Sequence, residues 1–104
     1  MSVYKKLEKC TGFQWDKGNI EKNWLKHSVN PSECEQIFFN IPLVIYNDTS
    51  HSEKENRYYS LGRTDSDRFI FIVFTIRKNQ IRIISARVMN RKERKVYKNY
   101  EEDT

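Results

Sequence analysis

The chain is poor in the residues that build several common kinds of site. Its two cysteines, Cys10 and Cys34, make neither a CxxC pair nor a zinc-ligand spacing, and they read as reduced thiols of a cytoplasmic protein. Three glycines and two prolines argue against a loop-rich scaffold. No glycine-rich phosphate loop is present, which speaks against a nucleotide-dependent enzyme. No carboxylate or histidine cluster has the spacing of a metal site, and no Ser-His-Asp arrangement is legible, so neither a metal centre nor a protease is indicated. No cofactor is expected. The longest apolar stretch, Phe69 to Ile76, is too short to span a bilayer, and the N-terminal MSVYKKLEK lacks the apolar run of a secretory signal. No membrane role follows.

What the chain does have is concentrated positive charge. Between Arg77 and Lys98 stand nine basic residues and one acid, Glu93, a local charge of +8, whereas the whole chain carries only +5. Clustered cations are the footprint of a polyanion-binding surface. With 104 residues, 38% hydrophobic and 13% aromatic, the chain suits one globular domain over 1–104 with its core at about 12–100.

Local signals organise that domain. Residues 1–10 are polar with little pattern and read as a loose leader. Phe13 to Asp16 alternates as a short strand. Asp16 is a helix N-cap, with Trp15 and Ile20 placed as a hydrophobic staple, and Ile20, Trp24 and His27 follow at helical spacing. Asn30-Pro-Ser-Glu33 is a capping box opening a second helix with Cys34, Ile37 and Phe38 on its apolar face. Pro42 introduces a strand at Leu43–Tyr46, and residues 47–56 form a polar loop that includes His51. Three strands follow: Arg57–Arg63, the apolar Phe69–Arg77, and Ile81–Arg87, the last two joined by a tight turn at Lys78-Asn79. Asn90 to Glu93 is another capping box, starting a helix to about Asn99 in which Tyr97 and Tyr100 face the core. The expectation is an α+β fold: a small antiparallel sheet, two N-terminal helices and one C-terminal helix.

Pairing residue 77 with 80 across the turn sets Thr75 opposite Arg82 and Ile70 opposite Arg87. If Arg63 also lies opposite Ile70, then Arg63 and Arg87 flank it on one face of the sheet. Guanidiniums suit such a phosphate grip because their planar fork is permanently charged.

Phe13 to Asp16, Asn23 to Val29, Tyr58 to Thr64, Arg68 to Thr75, Ile81 to Arg87 and Glu93 to Tyr97, in that order, together resemble the segments of a known family, the BrnT-type toxins. Phe13-Gln-Trp-Asp16 and Asn23-Trp-Leu-Lys-His27-Ser-Val are similar to its N-terminal signature. Tyr58 to Thr64 and Arg68 to Thr75 resemble its R-Y-x-x-x-G-x-T segment and central strand, and Ile81 to Arg87 and Glu93 to Tyr97 its closing I-R-I-I-S-A-R and E-R-x-x-Y motifs. The likeness covers about residues 12 to 100. Ser28 stands where the family usually has glycine, and Lys17-Gly18 replaces a proline-containing helix start. The resemblance implies a RelE-like fold and a type II toxin that cleaves RNA. It implies a BrnA-like antitoxin carrying a ribbon-helix-helix part, with operator DNA bound only through the complex.

Metal-independent RNA cleavage must deprotonate the 2′-OH, stabilise the phosphorane and protonate the 5′-oxygen. Arg63, Arg77, Arg82 and Arg87 are candidates for phosphate grip and charge stabilisation. Glu93 is the candidate base, the sole carboxylate of the basic segment, and His27 the other titratable candidate. Arg91, Lys92, Arg94 and Lys95 are RNA-binding candidates. Each has a plainer reading: Glu93 closes a helix start, His27 complements a helix C-terminus, and the α-helical cations form a solvated face. A non-catalytic nucleic-acid- or partner-binding domain, such as an operon co-repressor, is the alternative.

Overall fold

The structure, a computed structural model, describes residues 2–48 and 55–103. His51 and most of the expected polar loop lie outside them. The elements are α1 (Val3–Glu8), β1 (Gly12–Gln14), α2 (Lys17–His27), α3 (Pro31–Gln36) running into a 3₁₀ turn (Ile37–Phe39), β2 (Val44–Asn47), β3 (Arg57–Arg63), β4 (Phe69–Arg77), β5 (Gln80–Val88) and α4 (Arg91–Glu102). The five strands make one sheet in the order β1-β5-β4-β3-β2.

The central strand β4 alternates between two cores, which is why it is apolar almost throughout. Ile70, Ile72 and Phe74 are fully buried on one face with Val29, Cys34 and Ile37 of the α2–α3 region. Phe69 and Phe71 turn to the other face, where Tyr97 of α4, Met89, Val44 and Leu61 gather. The caps read from the sequence are in place: Asp16, Asn30 and Asn90 each accept from a backbone N–H three residues on, and Asn30 and Asn90 complete capping boxes with Glu33 and Glu93. Lys78 and Asn79 both have positive φ (52° and 60°), the geometry of a two-residue hairpin turn that matches strand twist.

Three expectations are corrected. The sheet is mixed: β1 pairs parallel with β5, Phe13 opposite Ile81. No hairpin joins these two strands, so nothing local dictates antiparallel pairing. The leader is helical. Ser2 caps α1, Val3, Leu7 and Cys10 pack on the core, and Tyr4 Oη donates to Leu43 O and accepts from Ile45 N–H. Partial burial of one face against the core sustains a six-residue helix that would not persist alone. Finally, Trp24 is 54% exposed, and the buried residue of α2 is Asn23 at 1%. The reason is the neighbour of α2: β1 covers only residues 80–82 of β5, and beyond it α2 side chains meet the open strand edge. Asn19 Nδ2 donates to Ile83 O, Lys22 Nζ donates to Ile84 O, and Asn23 Oδ1 accepts from Ala86 N–H at 3.1 Å.

Two small residues matter to this packing. Gly62 lets the 3₁₀ turn touch β3, since a Cβ there would lie 2.7 Å from Ile37 Cβ. Ser28 ends α2 in the left-handed region (φ 53°, ψ 40°), its N–H bonded to the carbonyls of Asn23 and Trp24. An L side chain in that conformation costs about 1–2 kcal/mol, partly offset by the backbone entropy a glycine would lose. Ser28→Gly should therefore raise stability by about 0.5–1 kcal/mol, seen as a higher urea midpoint at unchanged m-value. Both cysteines are free thiols; burial, with Glu33 and Glu35 adding to it, pushes Cys34 up to about 12.

Candidate active site

One irregularity in the sheet decides where the key arginine points. From the turn to Phe74, β4 and β5 pair without interruption, Thr75 opposite Arg82 as expected and Phe74 opposite Ile83. Between Val73 and Phe74 the register shifts, so Val73 faces Ser85 and Ile84 is the extra residue. A bulge reverses the facing of every side chain beyond it. Ile81 and Ile83 point into the α2–α3 core before the shift, and after it Ala86 does. Arg87 consequently points to the opposite face, opposite Phe71. Without Ile84 as an extra residue, Arg87 would be aimed into the core.

The expected flanking of Ile70 is thus revised. Arg63 lies opposite Phe69 and Arg87 opposite Phe71, both on the α4 face, whereas Ile70 belongs to the other core. Each register differs by one residue from the simple count, and the two offsets leave both arginines on a common face.

On that face Arg87 and Glu93 make a two-pronged ion pair. Nη1 reaches Oε1 at 2.7 Å and Nη2 reaches Oε2 at 2.9 Å. The guanidinium also lies over the Phe71 ring, with Cζ 4.1 Å from its centre. Glu93 at the same time accepts from Asn90 N–H, so one carboxylate both closes the helix cap and meets Arg87. Burial by itself pushes the Glu93 carboxyl up; the Arg87 hydrogen bonds, then the Asn90 N–H and the Arg87 charge, overcome it and hold the pKa below the usual value. The side chains are 32% and 20% exposed, accessible to a ligand from one side. Because its folded pKa is lowered, Glu93 adds stability above its unfolded pKa, and that contribution is lost as pH falls through the folded value.

The remaining candidates are spread out. Arg63, Arg87, Arg82 and Arg77 stand in the rows of Phe69, Phe71, Thr75 and Arg77 itself, a track roughly 27 Å long at about 3.4 Å per residue. Arg63 is held by Ile41 O and Asp67 at the far end, close enough to Tyr97 for its charge to oppose the burial that raises that phenol. Arg77 pairs with Glu55 at 3.0 Å. Arg82 is half-buried and makes no ion pair among the described residues. His27 ends α2, which lies along the outer edge of β5; no hydrogen bond or ion pair joins it to the arginine track among the described residues. Its place in the last turn with Lys26 suits the helix dipole. Arg91, Lys92, Arg94 and Lys95 are exposed on α4 and, with Lys98, line a broad groove floored by Phe69. Arg91 and Lys92 sit in the first helical turn, where the dipole disfavours cations by about 0.3–1 kcal/mol each. Helix stability does not account for them.

Sequence reasoning missed two features. Asn23 secures the backbone beside the bulge, and its only signal was a polar residue on a helix next to an apolar strand. Tyr46, Tyr59 and Phe71 form a row of rings across β2, β3 and β4, with centres 5.2 Å and 5.7 Å apart, leading to Arg87. Residue alternation hints at each ring, but only the register aligns them. Tyr97 is core as expected, its hydroxyl donating to Pro42 O, whereas Tyr100 is 44% exposed and hydrogen-bonds with Tyr46 instead.

Among the described residues no helix is long and apolar enough to cross a membrane. A search of curated proteins found no match. The crystal structure of the Brucella abortus ribonuclease toxin BrnT superposes with a TM-score of 0.59 at 17% identity, covering 78% of this chain and 99% of that one. At that identity the likeness speaks to the α+β fold. The family model described as "Ribonuclease toxin, BrnT, of type II toxin-antitoxin system" matches residues 15–93, a span that contains the bulged hairpin, Arg87 and Glu93. By that match the chain belongs to the BrnT family, the ribonuclease toxins of type II toxin–antitoxin systems.

Proposed function

We propose that Arg87 and Glu93 are the reacting pair of this ribonuclease, with Arg82 and the α4 cations guiding RNA onto the sheet face. The observation that carries this is the two-pronged contact at 2.7 and 2.9 Å between the fork of Arg87 and the only carboxylate of the basic segment. A scissile phosphate competes with Glu93 for that fork. As the guanidinium turns to the phosphate, Glu93 loses the hydrogen bonds that chiefly hold its pKa down, and burial then raises it. The carboxylate becomes a better base at the moment a 2′-OH is beside it. It takes the 2′-OH proton, the oxygen attacks phosphorus, and the 5′-oxygen departs, leaving a 2′,3′-cyclic phosphate. Arg87 stabilises the charge on the phosphorane. Arg63 and Arg77 grip neighbouring phosphates along the track, and His27 is the candidate donor of the proton to the 5′-oxygen. Among the described residues no three His, Cys, Asp or Glu side chains gather as metal ligands.

The toxin acts in the cytoplasm, blocks translation by cutting RNA and is neutralised by a BrnA-like antitoxin with a ribbon-helix-helix part; their complex binds operator DNA. The test is incubation of the purified chain with RNA in the presence of EDTA. Cleavage with cyclic-phosphate ends is expected, and growth should stop on induction unless the antitoxin is co-expressed. Intact RNA, with binding that weakens steeply in salt, would replace the nuclease mechanism with the non-catalytic co-repressor reading.

A further inference from the structure

We infer that Tyr46, Tyr59 and Phe71 form the wall of a nucleobase-binding cleft beside the Arg87–Glu93 pair, so that the toxin holds a base as well as a phosphate of its substrate. This rests on the reading of that pair as the reacting centre.

The register sets Tyr46 opposite Tyr59 and Leu61 opposite Phe71, all on the α4 face. Tyr46 and Tyr59 are stacked at 30°, Tyr59 and Phe71 meet at 32°, and Arg87 caps Phe71. Four adjacent strands thus supply a continuous ladder of three rings and a guanidinium. The rings, with Leu61, Lys92 and Glu93, line a cleft of about 250 Å³. That is below the roughly 300–1,000 Å³ of drug-sized sites, the scale of one planar heterocycle.

Core packing explains part of this ladder and not all of it. Tyr46 and Phe71 pack against the α4 core, but Tyr59 joins neither hydrophobic core. Its ring is half-buried, held between two other rings, and opens on the cleft. Aromatic rings beside an arginine are how single-stranded RNA is held: every base has a π-face, and the neighbouring cation takes the phosphate. Lys92 at the rim adds a donor for a base edge.

The test uses a short 2′-deoxy oligonucleotide carrying 2-aminopurine, which lacks the attacking 2′-OH and so binds uncut, and the same strand with an abasic position. The full chain is compared with Tyr59→Leu and Tyr59→Phe, and wild-type cleavage of RNA is measured alongside. Wild type should quench the 2-aminopurine fluorescence. Tyr59→Leu removes the ring that holds Tyr46 and Phe71 in line along the cleft and should lose about tenfold in affinity for the base-containing strand, and none for the abasic strand. Tyr59→Phe should restore both affinity and quenching. Equal loss on both strands, no loss on either, or a loss confined to antitoxin binding overturns the inference. If RNA is cleaved and Tyr59→Leu fails to discriminate, the cleft falls and the nuclease reading stands. If discrimination appears without any RNA cleavage, base binding stands and the reacting pair falls.

Discussion

Arg87→Ala should lower kcat for RNA cleavage by about 10²–10³, the usual cost of removing one preorganised group that stabilises transition-state charge. On the proposed reading Arg82 and the exposed α4 cations still attract the substrate electrostatically, so the effect should fall mainly on kcat. Arg87→Lys should recover only part of the rate. Lysine keeps the charge but loses the planar fork that meets both Glu93 oxygens and the flat contact with Phe71. The substitution also leaves the half-buried Glu93 with only its Asn90 contact, and burial should then raise its pKa. Single-turnover cleavage measures the rate, and a thermal melt of each variant establishes that the fold is retained. A full rate for Arg87→Ala would remove the mechanism outright.

Glu93→Gln should lower the rate by about 10²–10⁴, the span of a general base. This variant separates chemistry from structure, because glutamine at the third helical position serves a capping box as glutamate does. The start of α4 should therefore persist while the charge is lost. The pH dependence carries a sign that follows from the geometry. The base must be ionised, so the rate rises with pH through the Glu93 pKa and then levels. In the free enzyme Arg87 holds that pKa below the usual value, so the rising limb of kcat/KM should lie below the ordinary glutamate range. In the complex, with Arg87 drawn to phosphate, the limb of kcat should lie higher. The two limbs should vanish together in Glu93→Gln. Coincident limbs in wild type would show that Arg87 does not leave the carboxylate when substrate binds.

Both predictions depend on a bulge that no reading of residue types revealed. The hairpin turn was legible because Lys78-Asn79 lies between two apolar runs, and pairing 77 with 80 followed from it. Counting outward from the turn works only until Val73, where Ile84 enters as an extra residue. The extra residue is stabilised from outside the hairpin, by Lys22 bonding to its carbonyl and by Asn19 and Asn23 bonding to the β5 backbone on either side of it. Those contacts join residues more than 60 positions apart, beyond the reach of any local pattern. The exposure of Trp24 has the same origin: the helix turns its polar asparagine inward to satisfy an open strand edge, and its indole outward.

The amino-acid order alone determined the helix starts at Asp16, Asn30 and Asn90, the strands Arg57–Arg63 and Phe69–Arg77, and the gathering of cations after Arg77. Caps, alternation and turns act between residues a few positions apart, so they can be read from neighbours. Tertiary structure decided which face each cation occupies, that Arg87 meets Glu93, and that three rings from three strands line up beside them. Facing in a sheet has a period of two, so one inserted residue inverts it, and the hydrogen bonds that accommodate the insertion come from a helix far away in the chain.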